Sequence, residues 1–252
     1  MSGKINILNI KINKVDMEAA IEKVKSFLEV DNTPGYMVVT PNSEMVVRAQ
    51  TDFELARILN QADLSLPDGA GIVLASRFLK DPIPERVAGF DLMQNLFEEA
   101  VNKNYSIYLL GGKPGIVKNA KKNLVANYPG INICGINHGY LDAKEQNQVI
   151  SEINQLQPDL LFVGMGVPLQ EKFLDKNLDN LKVKVAMTVG GSFDVLSQKV
   201  KRAPLWMQNL YLEWFYRLLK EPSRLGRMMA LPKYIFLVIL QVIEKRWENE
   251  DM

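Results

Sequence analysis

One carboxylate, Asp68, stands in a segment with the composition of a turn between a strand and a helix. The segment reads Leu64-Ser65-Leu66-Pro67-Asp68-Gly69-Ala70-Gly71, an apolar lead-in followed by two glycines that open a helical run. Pro67 disfavours helix just before it, and the glycines permit close backbone approach or a positive φ. A carboxylate at such a turn can point into a cleft and accept a proton. It can equally be an ordinary helix N-cap, because Asp is among the favoured capping residues.

Four further clusters of glycine and polar residues follow apolar segments that have the length of buried strands. They are Thr40-Pro41-Asn42, Gly111-Gly112, Gly164-Met165-Gly166 and Gly190-Gly191. Ligands of open α/β sheets bind outside the carboxyl ends of the strands, so these clusters and the Asp68 turn predict one shared cleft. Backbone N–H groups at glycine turns before helices favour phosphate oxygens. Together the clusters favour a phosphate-bearing ligand, although any one glycine pair can be only a tight turn.

Several familiar chemistries lack their sequence signatures. No Walker A motif and no G-x-G-x-x-G fingerprint is present, which argues against an ATPase and an NAD enzyme. The chain has one histidine, His138, one cysteine, Cys134, and no Asp-x-Asp pair, so we expect no metal site. A magnesium or manganese site built from carboxylates far apart in the sequence is the alternative. No nucleophile elbow surrounds His138 or any serine, which disfavours a Ser-His-Asp set.

General acid–base catalysis by a carboxylate is the chemistry that these residues leave open. Phosphate charge would then be handled by backbone amides and arginines. Arg86, in Pro84-Glu85-Arg86-Val87-Ala88-Gly89, is one candidate cation, and a surface ion pair is the alternative. The net charge of +1 argues neither for nor against nucleic acid, and we expect no nucleic-acid partner.

The elements that must position these residues alternate along the chain as far as about residue 198. Apolar segments at 36–40, 64–66, 106–110, 131–135, 160–164 and 183–189 are typical of strands, and amphipathic segments between them are typical of helices. This alternation predicts an α/β fold, Rossmann-like, with a mostly parallel sheet and helices on both faces. The segment 5–12 is predicted to form a hairpin or edge strand. We assign residues 1–198 to a catalytic domain.

Composition changes after residue 198, which predicts a helical appendage over 199–252. From Lys199 to Lys233 there are eight basic and two acidic residues, and Trp, Tyr and Phe cluster in the same region. The apolar run 234–243 covers ten residues, whereas a spanning helix needs roughly 20, so no transmembrane segment is expected. Basic and aromatic helices suit an anionic membrane surface. Packing of the appendage on the main domain is the alternative, and the two are compatible.

Eight sequence blocks, in order across nearly the full chain, resemble the WecG/TagA/CpsF glycosyltransferase family. They are Thr40-Pro41-Asn42-Ser43-Glu44, Leu66-Pro67-Asp68-Gly69-Ala70-Gly71, Arg86-Val87-Ala88-Gly89-Phe90-Asp91-Leu92, Leu110-Gly111-Gly112-Lys113-Pro114-Gly115, Gly164-Met165-Gly166-Val167-Pro168-Leu169-Gln170-Glu171, Val189-Gly190-Gly191-Ser192-Phe193-Asp194, Lys201-Arg202-Ala203-Pro204 and a block that runs from Glu213 to Arg224. The resemblance implies transfer of a sugar from a UDP-sugar to undecaprenyl-diphosphate-GlcNAc, independent of metal and of any cofactor. N-acetylmannosamine, from UDP-ManNAc, is the sugar that it implies, joined by an inverted β-1,4 linkage in wall teichoic acid synthesis.

The resemblance also implies roles for particular residues. Asp68 and Thr40 are the expected catalytic residues. Asp68 matches the general base that deprotonates the acceptor hydroxyl, and Thr40 matches a residue near the donor diphosphate. Tyr140 and Asp194 are expected to hold the uracil, and Gln170 to line the pocket. With these, the expected substrate-binding residues are Asn42, Arg86, Gly111, Gly112, Gly166, Gly191, Arg217, Arg224 and Arg227. The three C-terminal arginines are expected to reach the diphosphate from the appendage.

Other functions and partners stay open at this point. A related transferase could use UDP-ManNAcA or UDP-glucose, and a soluble nucleotide-sugar epimerase or phosphotransferase would have an appendage that only packs. A non-enzymatic membrane scaffold is a third class, and a homo-oligomer is compatible with each. The N-terminus lacks a basic region followed by a long apolar segment, so no signal peptide is predicted. We expect a cytoplasmic protein that is peripheral on the inner face of the membrane.

Overall fold

A six-stranded parallel sheet forms the centre of the computed structural model, which describes residues 3–30, 34–210, 212–220, 226 and 229–250, without the side chains of 209, 217 and 245–250. The sheet strands are β3 (Tyr36–Val39), β4 (Leu64–Ser65), β5 (Ser106–Gly111), β6 (Asn132–Asn137), β7 (Leu160–Gly164) and β8 (Val185–Thr188). Their order across the sheet is β4-β3-β8-β7-β5-β6, and every pair is parallel. The predicted fold class is confirmed.

Helices cover both faces of the sheet, because its strands are apolar on both sides. In β7, Leu161 and Val163 enter one hydrophobic cluster, while Leu160 and Phe162 enter the other. The helices that connect the strands are α1 (Met17–Leu28), α2 (Ser43–Ala49), α3 (Phe53–Gln61), α4 (Ala70–Phe78), α5 (Gly89–Lys103), α6 (Ile116–Asn127), α7 (Ala143–Leu156) and α8 (Leu169–Asn177), and α9 (Ser192–Leu196) follows the last strand. Such continuous apolar strands are typical of parallel sheets buried on both faces.

An antiparallel hairpin, β1 (Lys4–Ile7) and β2 (Ile10–Asn13), precedes the sheet, as the sequence predicts. Its turn residues Leu8 and Asn9 both have positive φ, 49° and 64°, as a two-residue turn that matches the twist of its strands requires. The side chain of Asn13 accepts a hydrogen bond from the Ser65 N–H, which places the hairpin beside β4.

Beyond α9 the described residues form α10 (Leu205–Asn209), α11 (Glu213–Lys220) and α12 (Ala230–Glu250). On its inner side α12 packs against α2 and α4, where Tyr234 and Val238 join the hydrophobic core. The Tyr234 hydroxyl donates to the Gly71 carbonyl at 3.1 Å. Ile235 and Phe236, in contrast, are each more than half exposed. The C-terminal segment therefore packs on the main domain and also presents apolar side chains to its surroundings.

Across the residues that the structure describes, no helix is both long enough and apolar enough to cross a membrane. Pro232 lies in the first turn of α12, a position where its missing N–H costs no intrahelical hydrogen bond. The division of the chain at residue 198 stays a prediction.

Candidate active site

The five clusters singled out in the sequence lie at one edge of the sheet. Each lies at or just beyond the carboxyl end of one of the parallel strands β3, β4, β5, β7 and β8, so all five lie on the same side of the sheet. The strand register puts Gly111 opposite Gly164 and Val163 opposite Thr188. This edge is the carboxyl edge, where open α/β sheets bind their ligands.

Asp68 is not the N-cap of the helix that follows it. That cap is Gly69, which has no side chain with which to bond the first turn of α4. The Asp68 carboxylate instead accepts a hydrogen bond from the N–H of Gly89, the first residue of α5, at 3.3 Å. A carboxylate is stabilised there by the unpaired amides and the dipole of the helix. With its side chain 25% exposed, Asp68 is held by the fold and still reaches solvent.

Arg86 contacts Asp68 twice and a second acid once. Its Nε donates to the Asp68 backbone carbonyl at 2.5 Å, and its Nη2 lies 3.6 Å from Asp68 Oδ1. The same Nη2 donates to Glu213 Oε2 at 3.2 Å. Burial alone would lower the pKa of Arg86, but the charges of Asp68, Glu213 and Asp91 outweigh it and raise the pKa. Arg86 is therefore a half-buried cation, 18% exposed in its side chain, that is paired with two acids. Its substrate-binding role stays a prediction.

A second arginine extends this set of charges. Arg202 makes a two-pronged contact with Asp91, in which its Nη2 donates to Oδ2 at 2.8 Å. The guanidinium carbon lies 4.9 Å from the ring centroid of Phe90, and Nε lies 3.9 Å from Glu213 Oε1. Planar two-pronged pairs of this kind hold geometry as well as charge. Glu213, at the start of α11, thus lies between two arginines of the site.

Thr40 and Asn42 both lie in the turn after β3. The Thr40 hydroxyl is buried and donates to the Thr188 carbonyl at 3.3 Å, which joins the ends of β3 and β8. The Asn42 side-chain carbonyl accepts from the Met45 N–H and caps α2. Because that oxygen is engaged, the side-chain amino group is the part of Asn42 that is suited to a ligand. The substrate roles of Thr40 and Asn42 stay predictions.

Glycines at the ends of β5 and β7 permit close contact between backbones. Gly111 has φ of +148°, and a Cβ there would lie 2.3 Å from the Gly164 carbonyl oxygen. Gly112 has φ of +70°, and its N–H donates to the same carbonyl at 2.9 Å. The Gly112 N–H is therefore engaged within the chain. The predicted substrate roles of Gly111 and Gly112 are untested, and so is that of Gly166, which has φ of +81°.

Gln170 and Glu171 form a buried pair beneath the turn after β8. The Gly190 N–H donates to Gln170 Oε1 at 3.0 Å, and Gln170 Nε2 donates to Glu171 Oε1 at 2.6 Å. Burial raises the pKa of Glu171 to about 7, while hydrogen bonds and Arg48 oppose that rise. Gln170 is almost completely buried, so its observed contact supports the turn that carries Gly191. Its predicted contact with substrate is untested.

Tyr140 and Asp194 follow strands β6 and β8, which are separated by β7 and β5. The loop before Tyr140 folds back over that gap, since the position of a Gly139 Cβ lies 3.0 Å from the Met165 side chain and 3.1 Å from Gly111 Cα. The Tyr140 ring is 64% exposed, as a stacking platform would be. In the same loop His138 Nδ1 is buried and has no hydrogen-bond partner in the described part of the chain. The uracil-binding roles of Tyr140 and Asp194 stay predictions.

The three predicted C-terminal arginines contribute no described side chain. Arg217 belongs to α11, but its side chain lies outside the described residues, as do Arg224 and Arg227 entirely. Within the described ranges no group of three or more His, Cys, Asp or Glu side chains is arranged to hold a metal ion.

The structure adds residues for which the sequence analysis gave no role. Asp91, Glu171, Arg202 and Glu213 all lie in the blocks that carry the family resemblance. The available sequence signal for these residues was the presence of acids and arginines in blocks that are far apart in the chain. Sequence spacing alone does not show which acid pairs with which arginine.

Comparison with known proteins identifies a family and several named relatives. A family model described as the glycosyl transferase WecG/TagA/CpsF family matches residues 5–248. The chain is 36% identical over 232 residues to the N-acetylglucosaminyldiphosphoundecaprenol N-acetyl-beta-D-mannosaminyltransferase of Bacillus spizizenii, covering 90% of each chain. The proteins with the same name from Bacillus subtilis (36% over 217 residues, 86% of this chain and 84% of the relative) and Staphylococcus aureus (33% over 237 residues, 94% and 92%) are also similar. The chain therefore belongs to the WecG/TagA/CpsF family of glycosyltransferases.

Proposed function

We propose that this protein transfers N-acetylmannosamine from UDP-ManNAc to undecaprenyl-diphosphate-GlcNAc, forming a β-1,4 linkage with inversion. The names of the similar Bacillus and Staphylococcus proteins support this acceptor and this sugar. The single observation that carries the proposal is the position of Asp68. Its partly exposed carboxylate lies at the same sheet edge as the turns at the ends of four other strands, three of which contain glycines.

In this mechanism Asp68 accepts the proton of the acceptor 4-hydroxyl as that oxygen attacks the anomeric carbon. The bond from that carbon to the UDP oxygen breaks, and the sugar joins the acceptor on its opposite face. A positioned carboxylate base is worth roughly 10²–10⁴ in rate. Thr40 and the turns that hold Gly166 and Gly191 are assigned to the donor diphosphate, and Tyr140 and Asp194 to the uracil.

The C-terminal segment has two proposed roles. Its outward apolar side chains on α12 and its basic residues suit the surface of an anionic membrane, where a polyprenyl-linked acceptor resides. Arg217, Arg224 and Arg227 are assigned to the lipid or donor diphosphate. The protein would then act as a peripheral protein on the inner face of the membrane, with residues 1–198 as the catalytic domain and 199–252 as the appendage. Self-association is compatible with these roles.

The decisive experiment measures UDP release from UDP-ManNAc and from UDP-GlcNAc, each with and without a lipid-diphosphate-GlcNAc analogue. We expect release only when UDP-ManNAc and the acceptor are both present. Release without the acceptor would favour a soluble nucleotide-sugar enzyme. Equal release from both donors would contradict the assignment of N-acetylmannosamine. Saturable UDP binding without turnover under any condition would contradict the transferase assignment.

A further inference from the structure

A fully buried acid, Glu171, lies outside the mechanism but directly behind the donor half of the site. It is the third residue of α8, with no exposed surface, so it cannot touch a substrate. A chain of two hydrogen bonds connects it to the turn after β8, from the Gly190 N–H to Gln170 and from Gln170 to Glu171. The connection from Glu171 to the turn after β8 therefore runs through Gln170.

Glu171 determines which way the Gln170 side-chain amide faces. One end of that amide only accepts hydrogen bonds and the other end only donates. Because Glu171 presents Oε1 as an acceptor, the Gln170 amino group must face it, and the Gln170 carbonyl then faces the Gly190 N–H. The reversed amide would place oxygen against oxygen and N–H against N–H, leaving buried groups unsatisfied.

The Gly190 amide in turn sets the geometry of the donor-binding turn. Gly190 has φ of +52°, and its carbonyl passes so close to β7 that a Cβ on Gly164 would lie 2.7 Å from it. Gly191 follows directly as the N-cap of α9, and its carbonyl accepts from the Asp194 N–H at 3.2 Å. A shift of Gly190 therefore shifts Gly191 and Asp194 together.

We propose that Glu171 is a positioning residue for the donor site, which holds the Gln170 amide in one orientation so that Gly190, Gly191 and Asp194 keep the geometry needed for the UDP-sugar. This inference rests on the proposed function, since that function assigns Gly191 and Asp194 to the donor. The acceptor oxygen of Glu171 is what orients the Gln170 amide, and a negative charge on Glu171 is not required for that orientation.

The test compares two substitutions of similar size. Glu171→Met removes the acceptor oxygen, and Glu171→Gln restores it without a carboxyl group. We expect Glu171→Met to weaken UDP binding and to raise KM for UDP-ManNAc by about tenfold, because a buried donor loses its partner, with KM for the lipid acceptor unchanged. Glu171→Gln is expected to restore both donor values to within about twofold of wild type.

A matched control separates this effect from general loss of stability. Leu174 is buried on the same helix and has no part in the hydrogen-bond chain. We expect Leu174→Ala to lower Tm without changing KM for the donor. If Glu171→Met does not fold, Glu171→Asp provides the same test, since a carboxyl group shorter by one methylene draws the acceptor away from Gln170.

Hydrogen exchange of the Gly190 amide provides a readout that needs no substrate. We expect faster exchange in Glu171→Met and exchange at the wild-type rate in Glu171→Gln. An unchanged donor KM and unchanged Gly190 exchange in Glu171→Met would overturn the proposal, as would equal losses in the Met and Gln variants. Failure of the wild-type protein to bind UDP would instead overturn the proposed function, and Gly190 exchange would still test the positioning.

Discussion

Arg86 Nη2 lies 3.2 Å from Glu213 Oε2, although the two residues are 127 positions apart in the sequence. Arg86 belongs to the α/β domain and contacts Asp68, whereas Glu213 begins α11 in the C-terminal segment. The proposed base and the C-terminal segment therefore share one cation. Because the Glu213 side chain is only 10% exposed, this ion pair is shielded from solvent more than a surface pair is.

Replacing the proposed base tests the mechanism most directly. We expect Asp68→Asn to lower kcat by roughly 10²–10⁴, because an amide cannot accept the acceptor's proton. The Asn side-chain oxygen can still accept from the Gly89 N–H, so the fold and UDP affinity should persist. Single-turnover rates and UDP titration measure the two effects. A kcat within threefold of wild type would leave Asp68 with a structural role alone, as a bond acceptor for α5.

Neutralising Glu213 tests whether the shared cation matters for turnover. We expect Glu213→Gln to lower kcat by about tenfold with little change in UDP affinity, because Arg86 and Arg202 lose a nearly buried carboxylate. Glu244→Gln is the matched control, since Glu244 is an exposed acid on α12. The same kinetics for both variants would show that the contact between Glu213 and Arg86 does not affect catalysis.

The buried acid Glu171 predicts a pH-dependent stability. Burial raises its pKa from an ordinary 4.5 to about 7 in the folded protein, so between these values the folded state binds more protons than the unfolded state. Stability from this group is therefore greatest below pH 4.5 and falls as pH rises towards 7, by about 3 kcal/mol in total. Glu171→Gln lacks this titration.

Urea unfolding at pH 5 and pH 8 provides the measurement. We expect the free energy of unfolding of Glu171→Gln, relative to wild type, to increase by about 2–3 kcal/mol from the lower pH to the higher. A difference between the two proteins that stays constant with pH would show that Glu171 does not titrate in this range.

Tyr234 tests how firmly α12 is attached to the main domain. We expect Tyr234→Ala to cost about 3–5 kcal/mol, as for other large aromatic residues in cores. Tyr234→Phe, which loses only the hydrogen bond to Gly71, should cost about 1 kcal/mol. Thermal or urea unfolding measures both values. Equal and small decreases in the free energy of unfolding of the two variants would mean that α12 packs too loosely to contribute to the core.

Deletion of the C-terminal segment tests its proposed role in turnover, and the packing of α12 on α2 and α4 affects how the result is interpreted. Removing residues 199–252 should abolish turnover while UDP binding stays measurable, because the strand-end turns remain. It also uncovers the faces of α2 and α4 that α12 covers, so lower stability must be expected. Wild-type turnover in the truncated protein would contradict the proposed role of the appendage.

Local patterns in the sequence were sufficient to predict the helices and strands and the edge of the sheet at which the candidate site lies. The apolar segment of β7 and the helical spacing of α1 predict their elements because burial repeats with the period of each structure. Parallel strands then place Asp68 and the glycine turns at one edge. The family blocks in the sequence indicated the same edge, and the comparisons confirm the family.

Tertiary structure alone decided what each of these side chains contacts. Asp68 could have capped the next helix by its sequence, but its carboxylate bonds to α5, and Gly69 is the cap. Arg86 meets Glu213, and Gln170 supports Gly190, through contacts 127 and 20 positions apart. Local composition sets propensity and burial, whereas such partners depend on how distant elements pack, so no pattern within one segment specifies them.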